Sequence, residues 1–240
     1  MTAASGHRLP GVAWTVLTLA GYAAVAVWQT WPLAARATTD LPNPGILPFD
    51  ILTAAWLLAW DTHALATHPS QLPHPNAFHP SQLGLFYGPP ALGALPLFAP
   101  VYLAFGSVPL AYDFAYLAGM TLAAFGVAEV IRRWTDCRPA AFLAGLVMLT
   151  SPVIRDSVGT APLCAMLIGL PWLVYAGAHR NPDKRTGMLL VGALALQGLV
   201  DPMFALPAAL IPLSVIACVR LVRHATRRAG WWLVSYMALT

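Results

Sequence analysis

A bundle of membrane-spanning α-helices is the fold class this sequence predicts, and three observations carry that prediction. Of its 240 residues 58% are hydrophobic and only 9% charged, and the mean hydropathy is +0.66, which is too apolar for a water-soluble domain. The apolar stretches are continuous and about 14 to 23 residues long, close to what helices need to cross a bilayer, whereas a β-barrel would show short segments of alternating polarity. The basic residues fall in short clusters between these stretches. With a net charge of +4 and a pI of about 9.2, that clustering reads as a topology signal and not as a nucleic-acid footprint.

The first apolar run, residues 11–28, follows His7 and Arg8 and lacks an A-x-A cleavage site, so it reads as an uncleaved first spanning helix. Further spans are expected at about 109–131, 139–153, 163–178, 187–200 and 203–219. The run at 90–105 holds Gly93, Pro96 and Pro100 and decides the orientation of everything after it. If it spans, the basic clusters fall on the outer side. If it lies on the surface or re-enters, eleven of the thirteen basic residues become cytoplasmic, and only Arg36 and Arg155 stay outside. The second arrangement is expected, with a cytoplasmic N-terminus and an outer loop over residues 29–107. The last run, 231–240, is about ten residues long and falls short of the roughly 20 a span requires, so the chain reads as the N-terminal portion of a longer protein. Cys137, Cys164 and Cys218 lack metal or disulfide spacing and read as small buried hydrophobes.

Polar chemistry concentrates in the outer loop. Residues 51–67 show a helical pattern that places Trp56, Trp60 and His63 on one face, as in a juxtamembrane helix lying on the bilayer. Asp50, just after Pro48 and Phe49, is either the N-cap of that helix or a carboxylate that takes a proton or binds a divalent cation at the outer boundary. Asp61 lies on nearly the same face but about 16 Å further along the axis, too far to pair with it. Residues 68–72 and 79–83 repeat His-Pro-Ser-Gln-Leu, and proline at this density excludes a regular helix. His63, His68, His74 and His79 match no compact metal motif, so no firm metal site is read there. Asn76, Phe78, Phe86 and Tyr87 offer either sugar-stacking surfaces or interfacial anchors.

This layout resembles the GT-C superfamily of integral-membrane glycosyltransferases. The likeness rests on one spanning helix, a large first outer loop with an aspartate, juxtamembrane helices, and a span ending in Arg132-Arg133-Trp-Thr-Asp-Cys-Arg before an Ala-rich helix closing at Ser151-Pro152. The stretch Phe49-Asp50 through Trp56 and Trp60 to His63-Ala-Leu is similar to that of bacterial members, as is Asn76-Ala-Phe78-His-Pro80. The resemblance implies transfer of a sugar, with inversion, from a polyprenyl-phosphate-linked donor to a glycan, lipid or protein acceptor on the outer face of a bacterial plasma membrane. It implies Asp50 as general base or, in members that use Mg or Mn, a ligand of that divalent cation. Asp156 would supply a second acid and Arg155 a phosphate contact, although Arg155 reads equally as an interfacial anchor. Trp56, Trp60, His63, Asn76 and Phe78 would line the substrate side. The chain departs from the family in having Phe49 before the aspartate and no His-Gln pair near Asp156, and in holding fewer than the usual nine spans. The competing readings are a non-catalytic polytopic protein, such as a transporter or assembly subunit, and an inactive GT-C-like fragment.

Overall fold

The computed structural model describes residues 11–42, 48–77, 80, 83–88, 90–152, 161–179, 183–200 and 210–222. Arg155, Asp156, Phe78, His79 and the run at 231–240 lie outside the described residues. The molecule is all-helical, with no strand among the described residues. In order the helices are α1 (Gly11–Gln29), α2 (Pro48–Thr67), α3 (Leu95–Phe105), α4 (Val108–Thr135), α5 (Arg138–Leu149), α6 (Ala161–Ala178) and α7 (Lys184–Val200), followed by α8 (Leu210–Val222). Among the described residues, α1 and α4 are the helices long and apolar enough to cross a membrane, and the helices expected to span after α4 are shorter.

α4 is the central element. Ser107 caps its start by accepting from the Leu110 N–H at 3.4 Å, Pro109 sits in its first turn, and Asp136 closes it in the left-handed region. Its buried face is built from Ala111, Ala115, Gly119, Ala123, Ala124, Gly126 and Ala128, residues small enough to let neighbouring backbones approach closely. α1, α3, α5 and α6 all pack against it.

Three contacts show that α1 and α5 run in the same direction on α4. The Arg138 guanidinium lies 5.7 Å from the centre of the Trp14 ring, the Tyr22 hydroxyl donates to the Phe142 carbonyl at 2.9 Å, and the Gln29 amide donates to the Leu149 carbonyl at 3.4 Å. α6 descends along α4, with Pro171 against Gly126 and the Arg133 guanidinium 5.2 Å from the Trp172 ring centre. α7 returns, its Val200 carbonyl accepting from the Ala91 N–H at 3.0 Å. α8 descends again, so that Arg220 donates to the His179 carbonyl at 2.6 Å.

The helices therefore alternate, and charge separates along the bundle. Arg132, Arg133, Arg138, Lys184, Arg185 and Arg220 belong to one end, while the segment joining α1 to α4 covers the other. α3 belongs to this second end. It has Pro96 in its first turn and Pro100 inside, and it stops after eleven residues at Gly106, whose φ of 67 suits glycine. At 1.5 Å per residue it is about 16 Å long, half a hydrocarbon core. The expectation that this run does not cross agrees with that length.

Two sequence expectations are corrected. The span expected at 139–153 is a helix of twelve residues that ends at Leu149. Cys137 and Cys218 are free but exposed, not buried; Cys137 occupies the N-cap position of α5. At the basic end Asp183 caps α7, accepting from the Thr186 N–H at 2.8 Å and hydroxyl at 2.6 Å, and these bonds hold its carboxyl below the usual range.

A methyl group added at Gly145 would press on the Tyr22 hydroxyl and lie 2.8 Å from the Ala124 carbonyl oxygen, whereas nothing lies within 4 Å at Gly187. Gly145→Ala is therefore expected to cost on the order of 1–3 kcal/mol, and Gly187→Ala to add roughly 0.5–1 kcal/mol. Thermal unfolding of the detergent-solubilised chain checks both; equal midpoints for the two variants would contradict this packing of α1 on α5.

Candidate functional site

At the end opposite the basic clusters, Thr39, Asp40, Leu41 and Pro42 meet Ile51 and Leu52 of α2 and Pro109 of α4 around a cleft of about 420 Å3. Its walls are mainly apolar and its charge comes from Asp40. Local structure fixes that position: a 3-10 turn at Leu33–Ala35 follows α1, and the Thr39 and Asp40 N–H groups both donate to the Arg36 carbonyl at 2.9 Å. The Arg36 guanidinium lies 3.5 Å from the Asp40 carboxylate, and both side chains are largely exposed. An ion pair so exposed contributes little.

Asp50 is exposed and directly precedes Ile51, which lines the cleft, but is not itself among the lining residues. α2 begins at Pro48, so Asp50 lies inside the first turn. There its charge favours the helix N-terminus without serving as the cap the sequence had suggested. α2 buries Ile51, Ala55, Leu58 and Thr62, a stripe at helical spacing that holds it against α3 and α4.

The opposite face of α2 carries the aromatic residues expected of it. The Trp56 indole donates to the Asn76 side-chain oxygen at 3.2 Å. Trp60 donates to the Leu72 carbonyl at 3.2 Å, and its ring centre lies 6.3 Å from that of His63. The structure thus brings Trp56, Trp60, His63 and Asn76 together, with the two tryptophans tying the proline-rich segment to α2. His63, His68 and His74 are exposed, and no group of three His, Cys, Asp or Glu side chains suited to a metal ion occurs among the described residues.

Two carboxylates behave differently from those the sequence singled out. Asp61 in α2 is 0% exposed and Asp113 in α4 is 1% exposed, and neither carboxylate has a hydrogen-bond partner among the described residues. Burial pushes Asp61 from 3.8 up to about 7, because an apolar surrounding penalises its charged form. Asp113 lies one turn below Pro109 and within electrostatic range of Asp40. The signal that could have found Asp113 is its place inside a continuous apolar run, where an ionisable residue is costly. Asp61 is harder to read because polar residues flank it.

The folded chain keeps a proton on Asp61 that the unfolded chain has released between about pH 4 and 7. Stability should therefore fall as pH rises through that window and level off above it. The full loss would reach about 4 kcal/mol. Asp61→Asn should flatten this profile and unfold at a higher temperature than the wild type at pH 8. Parallel profiles for the two proteins would refute the burial of a carboxyl group here.

Comparison with family models, with curated proteins and with solved structures finds no match.

Proposed function

We propose that this chain is a polytopic helical membrane protein of GT-C-like layout that transfers a sugar at its acidic end. The observation that carries the reading is an apolar-walled cleft at the acidic end whose lining includes Asp40, Ile51 and Pro109, with exposed Asp50 next to Ile51 in sequence and buried Asp113 one turn after Pro109. Separation of the basic clusters to the far end supports a cytoplasmic basic end and an outer acidic end. α1 and α4 are long enough to span, and the alternation of α5 to α8 fits helices that traverse the same layer. α2 and α3 are the juxtamembrane helices of the outer loop.

In this reading a hydroxyl of the acceptor attacks the anomeric carbon of a polyprenyl-phosphate-linked sugar. The bond from that carbon to the phosphate oxygen breaks with inversion, and polyprenyl phosphate leaves with the electron pair. Asp50, exposed in the first turn of α2, takes the hydroxyl proton. The leaving phosphate needs positive charge, for which Arg155 is the residue proposed from sequence. Trp56, Trp60 and His63 form an aromatic wall along α2. Asn76 turns its side-chain oxygen to Trp56, so its remaining polar atoms are the ones offered to a sugar.

A non-catalytic transporter or assembly subunit is the second reading, and Asp113 favours it, since buried carboxylates in spanning helices commonly mark ion pathways. Sugar transfer separates the two. Membranes carrying the protein, supplied with a polyprenyl-phosphate sugar, should lose at least about 100-fold in transfer rate on Asp50→Asn, with insertion and thermal midpoint unchanged. Wild-type rates in that variant would remove the catalytic assignment.

A further inference from the structure

We infer that the basic end carries a site for the head group of an anionic phospholipid, with Arg133 of α4 and Arg220 of α8 as its two cations and Tyr175 and His179 between them. The site depends on the membrane reading of the fold and not on sugar transfer.

Three helices meet there in an unbroken line of contacts. The Arg133 guanidinium lies 5.2 Å from the Trp172 ring centre and 5.3 Å from that of Tyr175. The Tyr175 and His179 ring centres are 4.9 Å apart, and Arg220 donates to the His179 carbonyl at 2.6 Å. Gly177 sets the approach of α8 to α6, because a Cβ there would lie 2.6 Å from Leu213 Cδ2 and 3.6 Å from Ile216 Cδ1. Leu213, Ile216 and Arg220 share one face of α8 at helical spacing, so the packing that seats Leu213 also brings Arg220 to the C-terminal end of α6.

Positive charge is in excess along this line. Glu129 is one carboxylate against two guanidiniums, Arg132 at 2.7 Å and Arg133 at 2.9 Å, and the partner of Arg220 is a neutral carbonyl. The six described cations of this end stand against three described acids, Glu129, Asp136 and Asp183. The undescribed stretches joined to it in sequence, 1–10, 180–182 and 223–240, hold Arg8, Arg180, Arg223, Arg227 and Arg228 and no Asp or Glu. They can add to the excess and cannot cancel it. Arg133 and Arg220 are both exposed, so each is open to an anion from outside.

The apolar surface beside these cations selects a lipid over a free anion. Ile211, Val215 and Val219 of α8 recur every fourth residue and are 64%, 57% and 45% exposed, forming a stripe that ends one residue before Arg220. Trp134 is 49% exposed with its ring centre 6.5 Å from that of Tyr175, and exposed tryptophan beside arginine suits a membrane–water boundary. A phosphodiester over Tyr175 and His179 accepts charge-assisted hydrogen bonds from both guanidiniums, while its acyl chains follow the α8 stripe. Basic pockets between helices on the cytoplasmic side hold anionic head groups in this way.

Native mass spectrometry of the full chain, purified in a neutral detergent and loaded with equal amounts of dioleoyl-phosphatidylglycerol and dioleoyl-phosphatidylcholine, tests the site. The wild type should retain phosphatidylglycerol preferentially. Arg133→Gln and Arg220→Gln should each reduce that retention about fivefold, and Lys184→Gln, at the same end but outside the line of contacts, should leave it unchanged. Equal retention of the two lipids, wild-type retention in Arg220→Gln, or an equal loss in Lys184→Gln overturns the inference. Displacement of the lipid by a large excess of inorganic phosphate overturns it too, since the cations would then serve a free anion. If Arg133→Gln does not fold, Arg220→Gln, altered at an exposed position, decides. A chain that stays dissolved without detergent removes the membrane reading and this site with it, whereas one that needs detergent and shows no lipid preference overturns the site alone. Preferential retention by a protein that transfers no sugar supports the site while removing the glycosyltransferase reading.

Discussion

Close approach of helix backbones on the Ala- and Gly-rich face of α4 is the constraint from which the remaining architecture follows. In the membrane setting proposed for this chain there is no water to expel between apolar helices, so association would depend on packing and on buried hydrogen bonds. Gly119, Gly126 and the alanines of α4 supply the packing. Tyr22 to Phe142 and Gln29 to Leu149 supply hydrogen bonds between α1 and α5. Gly145 removes the Cβ that would otherwise strike Tyr22. With α1 and α5 set parallel on α4, the segment between α1 and α4 must return to a single end of the bundle, and the cleft forms where it does so.

That end is also where the fold tolerates its least favourable groups. Asp61 and Asp113 are buried without partners among the described residues, while Asp40 and Asp50 remain exposed. The basic end has the reverse character. There Glu129 is bracketed by Arg132 at 2.7 Å and Arg133 at 2.9 Å, and the Arg133 guanidinium packs over Trp172 and Tyr175. A satisfied carboxylate at one end and unsatisfied carboxylates at the other are what a structural anchor and a working site would respectively produce. Proteins retain unpaired buried charge chiefly where it serves a function.

Much of this was legible in the sequence, and the reasons are specific. Helix identity followed from continuous apolar runs, and the contacts among α1, α4, α5 and α6 give the alternation in relative direction that the sequence order implied. The status of residues 90–105 was read from the distribution of basic residues, and α3, which ends at Gly106 after eleven residues, is too short to cross. The shared face of Trp56, Trp60 and His63 followed from helical periodicity and proved to be the face that grips Leu72 and Asn76. What stayed hidden depended on tertiary placement. Periodicity located Asp50 near a helix start but not within the first turn, and composition gave no means of separating the exposed Asp50 from the buried Asp61. Asp113 was visible as an acid in an apolar run, yet its relation to Asp40 arises only when α4 packs beside the segment after α1.

The separation of acidic and basic ends across a membrane is the central claim, and labelling with a membrane-impermeant thiol reagent tests it most directly. In a chain with Cys164 and Cys218 replaced by serine, native Cys137 marks the basic end and a cysteine introduced at Thr39, in a second chain also lacking Cys137, marks the cleft. The account predicts that intact cells label the position at Thr39 at once and label Cys137 only after permeabilisation. Labelling of both positions from the same side without permeabilisation would contradict it.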